Sequence, residues 1–168
     1  MPYRRLPNTD AARIRALKAA LKKGQYLEID TIAYPFALKQ KIEFFLPKFE
    51  VAITNSKLAK EKQFDNSQKF SEYTKKARLY ISHFIQVLNL AVIRSEVRVA
   101  HKAYYGLPGD STNVPDLSTE TALVEWGRKI IDGEAKRTSQ GGIPIYNPTI
   151  AKVRVHYDIF TDSYDRQK

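Results

Sequence analysis

The sequence contains no cysteine, one methionine, one tryptophan and only three histidines among its 168 residues. The lack of cysteine excludes a disulfide-stapled secreted module, and it removes the thiolate ligands that structural zinc sites commonly use. No two histidines are spaced by three to five residues, and no histidine follows a glutamate by three positions, so zinc-site and di-iron spacings are both missing. We therefore expect no metal and no cofactor.

Long apolar runs are missing as well. The longest uncharged stretch that is rich in apolar residues covers 79–93 and includes four polar side chains, whereas a membrane-spanning helix needs about 20 apolar residues. Arg4 and Arg5 are followed by further basic residues rather than by the apolar segment of a signal peptide. These absences lead us to expect no membrane span and a cytoplasmic location.

The signatures of common enzyme classes are also absent. Neither Gly-x-Ser-x-Gly nor Gly-x-Gly-x-x-Gly occurs, so the sequence lacks the usual nucleophile elbow and the dinucleotide-binding fingerprint. Residues 106–112 have the glycines and hydroxyls of a phosphate-binding loop, but they lack the Gly-Lys-Ser/Thr ending and follow a predicted helix instead of a strand. We expect no catalytic residues.

What the sequence has in excess is positive charge. It carries 28 Lys and Arg against 18 Asp and Glu, which gives a net charge of +10. Residues 1–24 hold seven basic and one acidic side chain, and residues 67–106 hold seven basic and two acidic ones. A charge of this size attracts polyanions and opposes self-association at low salt.

The spacing of apolar residues predicts five helices. The first covers about residues 9–23, because capping oxygens precede strong helix formers and Gly24 offers a left-handed stop. The second covers about residues 35–62, and we expect a kink at Pro47, which removes one helical hydrogen bond. Both helices are amphipathic, so each must bury one face.

The third predicted helix is the longest and covers about residues 67–104. A turn at residues 65–67 precedes it, and no glycine or proline follows before Gly106. In helical projection Glu96 falls on the apolar face, so we expect either a buried carboxylate with a charged or hydrogen-bonding partner or a carboxylate at the edge of this face that reaches solvent. His83 is surrounded by apolar residues in the same projection, so we expect it in the core.

The last two helices follow loops that contain glycine and proline. The fourth covers about residues 118–136, with Ser118 or Thr119 as its cap. Two interpretations compete for residues 148–166: apolar spacings of three and four residues favour a helix, whereas a shorter period-two alternation fits a strand. The Asn-Pro start and the longer match to the helical spacing favour the helix.

Together these elements predict an all-α, up-and-down helical bundle with about five helices, built on a long antiparallel pair formed by the second and third. Residues 1–168 then form a single helical-bundle domain, in which 1–24 is an accessory basic helix and 35–168 is the bundle core.

Two groups of residues are candidates for a binding surface. Basic side chains of the first segment and of the third helix are candidates for polyanion binding, because Lys and Arg contacts to phosphates release counterions; they are Arg4, Arg5, Arg13, Arg15, Arg94, Arg98 and Lys102. Tyrosines near the loops are candidates for an interface, where aromatic residues are enriched; they are Tyr104, Tyr105 and Tyr146.

Three functions remain open. The leading hypothesis is a non-enzymatic helical scaffold or protein-interaction module, whose partner is another protein or a second copy of the chain. The alternative is a basic protein that binds nucleic acid or another polyanion. The third is an enzyme whose pocket is rimmed by loops 106–117 and 138–147, and the lack of a catalytic signature ranks it last.

Overall fold

The computed structural model describes residues 6–25, 28, 31 and 34–168. Within these residues every regular element is helical; the elements are α1 (Asp10–Gln25), α2 (Phe36–Ile93), a 3₁₀ helix (Val99–Tyr105), α3 (Glu120–Ser139) and α4 (Ile150–Asp165). The predicted all-α class with about five helices is confirmed. The chain divides into two compact units, Met1–Asp65 and Asn66–Lys168, and its assignment to a single domain stays a prediction.

The turn predicted at residues 65–67 is wrong, because α2 continues through these positions as one helix of 58 residues. Asp, Asn and Ser are weaker helix formers than Ala by at most about 0.7 kcal/mol, whereas Gly and Pro cost about 1 and 3 kcal/mol. Neither glycine nor proline occurs between Pro47 and Gly106. The predicted second and third helices are therefore parts of one element.

The other end of α2 comes earlier than predicted. The helix ends at Ile93, and Ser95 adopts a left-handed conformation with a φ of 62°. The amides of the next two residues both bond to the carbonyl of Ala91, at 2.9 and 3.2 Å, and close the helix end. The chain then turns into the 3₁₀ helix, so residues 94–105 do not form the single α-helical face that the sequence predicted.

In the first unit, α1 contacts the first part of α2, since Lys39 of α2 donates a hydrogen bond to the carbonyl of Gly24 in α1 at 3.3 Å. Ile42 and Leu46 of α2 are buried, and the Tyr34 hydroxyl donates a hydrogen bond to the carbonyl of Ala20 at 2.8 Å. Gly24 does not stop the helix as predicted, since α1 includes it. A Cβ at Gly24 would lie 2.7 Å from the Tyr34 hydroxyl oxygen, so the absence of a side chain permits this close approach.

In the second unit, the C-terminal part of α2 packs with α3 and α4 around one core. α4 runs antiparallel to α2, since Phe160 stacks on Phe70 while the earlier His156 stacks on the later Tyr80. Fully buried apolar side chains from all three helices fill the core; the largest are Ile81, Phe84, Ile85, Leu88, Leu123, Ile130, Val153 and Phe160.

Threonine caps begin both of the last two helices. The Thr119 hydroxyl accepts a hydrogen bond from the amide of Ala122 at 3.1 Å, and Thr149 accepts one from Lys152 at 3.4 Å. Such caps satisfy amides that have no partner within the helix. Thr119 is one of the two predicted caps, and the helical interpretation of the last segment is confirmed.

Neither Glu96 nor His83 is buried, so the buried alternative for Glu96 and the core position predicted for His83 are wrong. Glu96 lies beyond the end of α2, is exposed and pairs with Arg94. His83 is exposed on α2, and two of its apolar neighbours, Leu79 and Leu90, are themselves exposed. A helical projection predicts burial correctly only where the helix continues and where another element covers the apolar face of the helix.

Gly133 marks the closest approach between α3 and the end of the 3₁₀ helix. An added Cβ would lie 2.6 Å from the backbone oxygen of Tyr104 and 2.6 Å from the ring of Tyr105. In an open helix Gly→Ala stabilises by about 1 kcal/mol, but here we expect Gly133→Ala to lower the free energy of unfolding by about 1–3 kcal/mol through overpacking.

Urea denaturation followed by circular dichroism measures this change. The control is Asp132→Ala, a substitution of the exposed neighbouring residue of α3, which should alter stability by less than about 0.5 kcal/mol. A Gly133→Ala protein more stable than the wild type would contradict the close approach.

Candidate protein-binding groove

The loop between α3 and α4 carries two large apolar side chains into solvent. Ile143 is 84% exposed and Tyr146 is 82% exposed, whereas Ile145 between them is only 6% exposed and belongs to the core. Ile145 therefore anchors the loop, and its neighbours point outward. Neighbouring exposed apolar side chains of this size are typical of interaction sites.

A groove of about 290 Å³ lies between this loop and the end of α2. It is lined by Val87, Ala91, Arg94, Glu96, Val97 and residues 143–146. Its lining is mostly apolar, and its volume is near the lower end of the range for ligand pockets, roughly 300–1,000 Å³. A groove of this size fits one or two apolar side chains of a binding partner.

Arg94 and Glu96 form a bidentate ion pair in the lining of the groove. The Arg94 Nε donates to one Glu96 carboxylate oxygen at 2.8 Å, and Nη2 donates to the other at 2.9 Å. These hydrogen bonds hold the pKa of the Glu96 carboxyl below its ordinary value. Because Glu96 occupies Nε and Nη2 and balances the charge of the guanidinium, Arg94 attracts a phosphate less strongly than an unpaired arginine would.

A buried ionic network lies beside the loop. Glu134 and Arg137 of α3 are 1% and 3% exposed, and they form an ion pair at 3.0 Å. The fully buried Tyr105 donates its hydroxyl proton to Glu134 and accepts a hydrogen bond from Arg137 Nε at 2.6 Å. Burial raises the pKa of Tyr105 above its ordinary value of 10.0, because the charged form of the phenol is disfavoured in the core.

This network fixes the backbone of the loop. Glu134 Oε1 accepts a hydrogen bond from the amide of Ile145 at 2.7 Å, and Arg137 Nη2 donates one to the carbonyl of Ile143 at 2.7 Å. Pro144 between them has no amide proton to satisfy. The buried charges therefore hold the chain on both sides of Pro144 and set the direction in which Ile143 points.

The predicted polyanion-binding residues of the first segment have mixed surroundings. Arg4 and Arg5 lie outside the described residues. Arg13 pairs with Asp10 at 3.0 Å on the exposed face of α1, and Arg15 is exposed. Of the four basic residues predicted in this segment, Arg13 and Arg15 are therefore the two that the structure describes, and both are on the surface.

The other three predicted basic residues do not form one strip. Arg94 pairs with Glu96, and Arg98 is exposed at the start of the 3₁₀ helix. Lys102 is buried, and its ammonium donates a hydrogen bond to the carbonyl of Ser111. The assignment of Lys102 to a polyanion surface is wrong, because the 3₁₀ helix turns its side chain inward.

Only one of the three predicted interface tyrosines is largely exposed. Tyr146 lines the groove, as described above. Tyr104 is half-buried, and its hydroxyl donates to the side chain of Gln140. Tyr105 is fully buried in the ionic network, so its assignment to an interface is wrong.

Sequence reasoning missed Ile143, Glu134 and Arg137, although the two charged residues leave a signal. On α3 the buried positions follow each other by three or four residues, and the charged pair continues the series; the positions are Leu123, Gly127, Ile130, Glu134 and Arg137. Charges at consecutive core positions of one helix indicate a buried pair.

Among the described residues, no group of three or more His, Asp or Glu side chains is placed to hold a metal ion. No helix in the described part of the chain combines the length and the apolar character needed to cross a membrane. Comparison with protein-family models, curated proteins and solved structures found no match to this chain. The groove is assigned from its geometry.

The buried ion pair predicts a large effect of removing one partner. Arg137→Met leaves the carboxylate of Glu134 in the core without its counter-charge, which should lower the free energy of unfolding by about 3–5 kcal/mol. The double variant Glu134→Leu/Arg137→Met removes both charges of this pair, so part of this loss should be recovered. Urea denaturation measures both variants.

The matched control is Arg128→Met, because Arg128 lies on the exposed side of the same helix. This substitution should change stability by less than about 0.5 kcal/mol. Equal and small losses in Arg137→Met and Arg128→Met would contradict the network.

The buried phenol of Tyr105 predicts a loss of stability at alkaline pH. A tyrosine in the unfolded chain has a pKa of about 10, whereas the pKa of Tyr105 in the folded protein is higher. The stabilising contribution is therefore complete below about pH 10 and decreases as the pH rises beyond it. Denaturation midpoints measured across this pH range should fall more steeply for the wild type than for Tyr105→Phe; parallel slopes would contradict the raised pKa.

Proposed function

We propose that this chain is a non-enzymatic protein-interaction module that binds an apolar segment of a partner protein in the groove between α2 and the 143–146 loop. The observation that carries the proposal is the exposure of Ile143 and Tyr146 on a backbone that the buried ion pair holds. Burying a large apolar side chain contributes about 1.5–3 kcal/mol of favourable free energy. Ile143 and Tyr146 are exposed in the free chain, so they gain this free energy only when a partner covers them.

The rigid support of the loop favours binding. An interface loop that must be ordered on association loses conformational entropy, and this loss weakens the affinity. Here the hydrogen bonds from Glu134 and Arg137 hold the loop before a partner arrives. Tyrosine is also enriched among the residues that dominate binding energies, which makes Tyr146 the principal contact.

The positive net charge of the chain favours an acidic partner over a second copy of the chain. The net charge of +10 makes two copies repel each other at low salt. Arg98 is exposed directly after Val97 of the groove. An apolar anchor residue flanked by Asp or Glu matches these features, because opposite charges across an interface speed association.

Self-association has its own candidate surface in the first unit. Phe44, Val51 and Leu58 recur every seven residues on α2, and all three are exposed. Apolar residues that recur at every seventh position are typical of helices that pair with another helix. The ammonium of Lys48 lies 3.7 Å from the centre of the Phe44 ring and adds positive charge to a surface that would have to meet its own copy.

Polyanion binding is the second candidate, and α1 favours it. Arg15, Lys22 and Lys23 are exposed on this helix, in a segment with seven basic residues and one acidic residue. Binding of labelled DNA or RNA that weakens steeply with salt would support this function. The enzyme stays the third alternative and the cytoplasmic location stays a prediction, since no observation on the described residues favours either.

The test of the main proposal is a peptide selection on the intact chain. Peptides enriched on the wild-type protein should carry one large apolar residue next to Asp or Glu. Their Kd, measured by fluorescence anisotropy, should rise at least about tenfold in Ile143→Ser and Tyr146→Ser, as expected when a dominant contact is removed.

Val155→Ser is the matched control, because Val155 is an exposed apolar residue of α4 that does not line the groove. Unchanged affinity in this variant, with weakened affinity in the loop variants, is the expected pattern. Peptides that bind all variants equally would contradict the groove. A wild-type dimer that Tyr146→Ser dissociates in sedimentation would replace the acidic partner with a second copy.

A further inference from the structure

The seam between α2 and α4 carries a cluster of basic and aromatic side chains that shares no residue with the groove. The rings of Tyr80 and His156 stack with their centres 4.2 Å apart and their planes 12° from parallel. Lys152 lies one turn before His156, and its ammonium is 5.9 Å from the centre of the Tyr80 ring. Lys76 lies one turn before Tyr80 on α2.

The antiparallel packing of α2 and α4 creates this arrangement. On each helix a lysine precedes an aromatic ring by four residues, so each pair occupies one helix face. Because the helices run in opposite directions, the stacked rings lie between the two lysines. Both lysines are exposed, and both rings are half-buried.

The charges around this cluster are not balanced. Within the described ranges, neither Lys76 nor Lys152 belongs to an ion pair. The other titratable residues along the same face of α2 are Lys69, Glu72, Tyr73 and His83, and the acidic Glu72 lies one turn before Lys76. None of the neighbouring positions of α4 on this face is acidic. Burial, Lys76 and Lys152 each lower the pKa of His156 below its ordinary value.

We infer that Lys76, Tyr80, Lys152 and His156 form a binding site for a phosphate dianion, either free phosphate or the phosphate of a small organic monoester. Two ammonium groups supply the charge that a dianion needs, and the imidazole and the phenol supply two further hydrogen-bond donors. Binding draws a proton onto His156, because the anion cancels the repulsion from both lysines.

The test follows the three histidine signals by NMR while phosphate is added at constant ionic strength. The His156 pKa should rise by about one, as expected for an opposite charge placed beside the ring. The change should saturate in the millimolar range, because the lysines are exposed to water. His101, which lies in the 3₁₀ helix, serves as the internal control, and its signal should not follow this curve.

Variants separate a site from general charge attraction. The double variant Lys76→Gln/Lys152→Gln should abolish the saturable change. Lys75→Gln/Arg154→Gln removes one exposed positive charge from each of the same helices and should leave the change intact. All four positions are exposed on helices, so folding should persist, and the amide spectrum verifies it.

A second titration with methyl phosphate distinguishes the two sources of the ligand. Equal responses to methyl phosphate and free phosphate assign the site to phosphate monoesters, whereas a response to free phosphate alone assigns it to the inorganic ion. Equal, unsaturated drifts of all three histidines would overturn the site, and so would an unchanged response in Lys76→Gln/Lys152→Gln. Neither result depends on the groove, so this proposal and the proposed function fail independently.

Discussion

The buried pair of Glu134 and Arg137 is the interaction on which the second unit depends. Two charges in a core destabilise it unless each finds a partner and every remaining polar position is bonded. Tyr105, the amide of Ile145 and the carbonyl of Ile143 complete these bonds. One network thereby joins the 3₁₀ helix, α3 and the loop before α4.

The same network links folding to the surface of the molecule. An apolar core would also bury this part of α3, but it would not bond to the backbone on both sides of Pro144. The ionic pair does so, and the loop can then hold Ile143 and Tyr146 in water without collapsing onto the core. The charged side chains in the core therefore stabilise the second unit and also support the loop that forms the proposed binding surface.

The sequence was sufficient for the helical class, for the threonine cap of α3 and for the helix in the last segment, because each depends on local spacing and capping. It was insufficient at residues 65–67, where mildly unfavourable residues do not stop a helix, and at Ser95, where a helix ends without glycine or proline. Tyr146 was predicted as a contact residue, whereas Lys102 and Tyr105 were misplaced because their direction depends on that unforeseen helix end.

The central claim is that the buried charges hold the groove in place before a partner binds. Amide hydrogen exchange at Ile145 tests it most directly, because this amide donates to Glu134. The claim predicts exchange as slow as that of Ile130 in the core of α3, since both amides would open only with the whole unit. Exchange as fast as that of the exposed Asn113 would contradict it, because the loop would then open without disturbing the core.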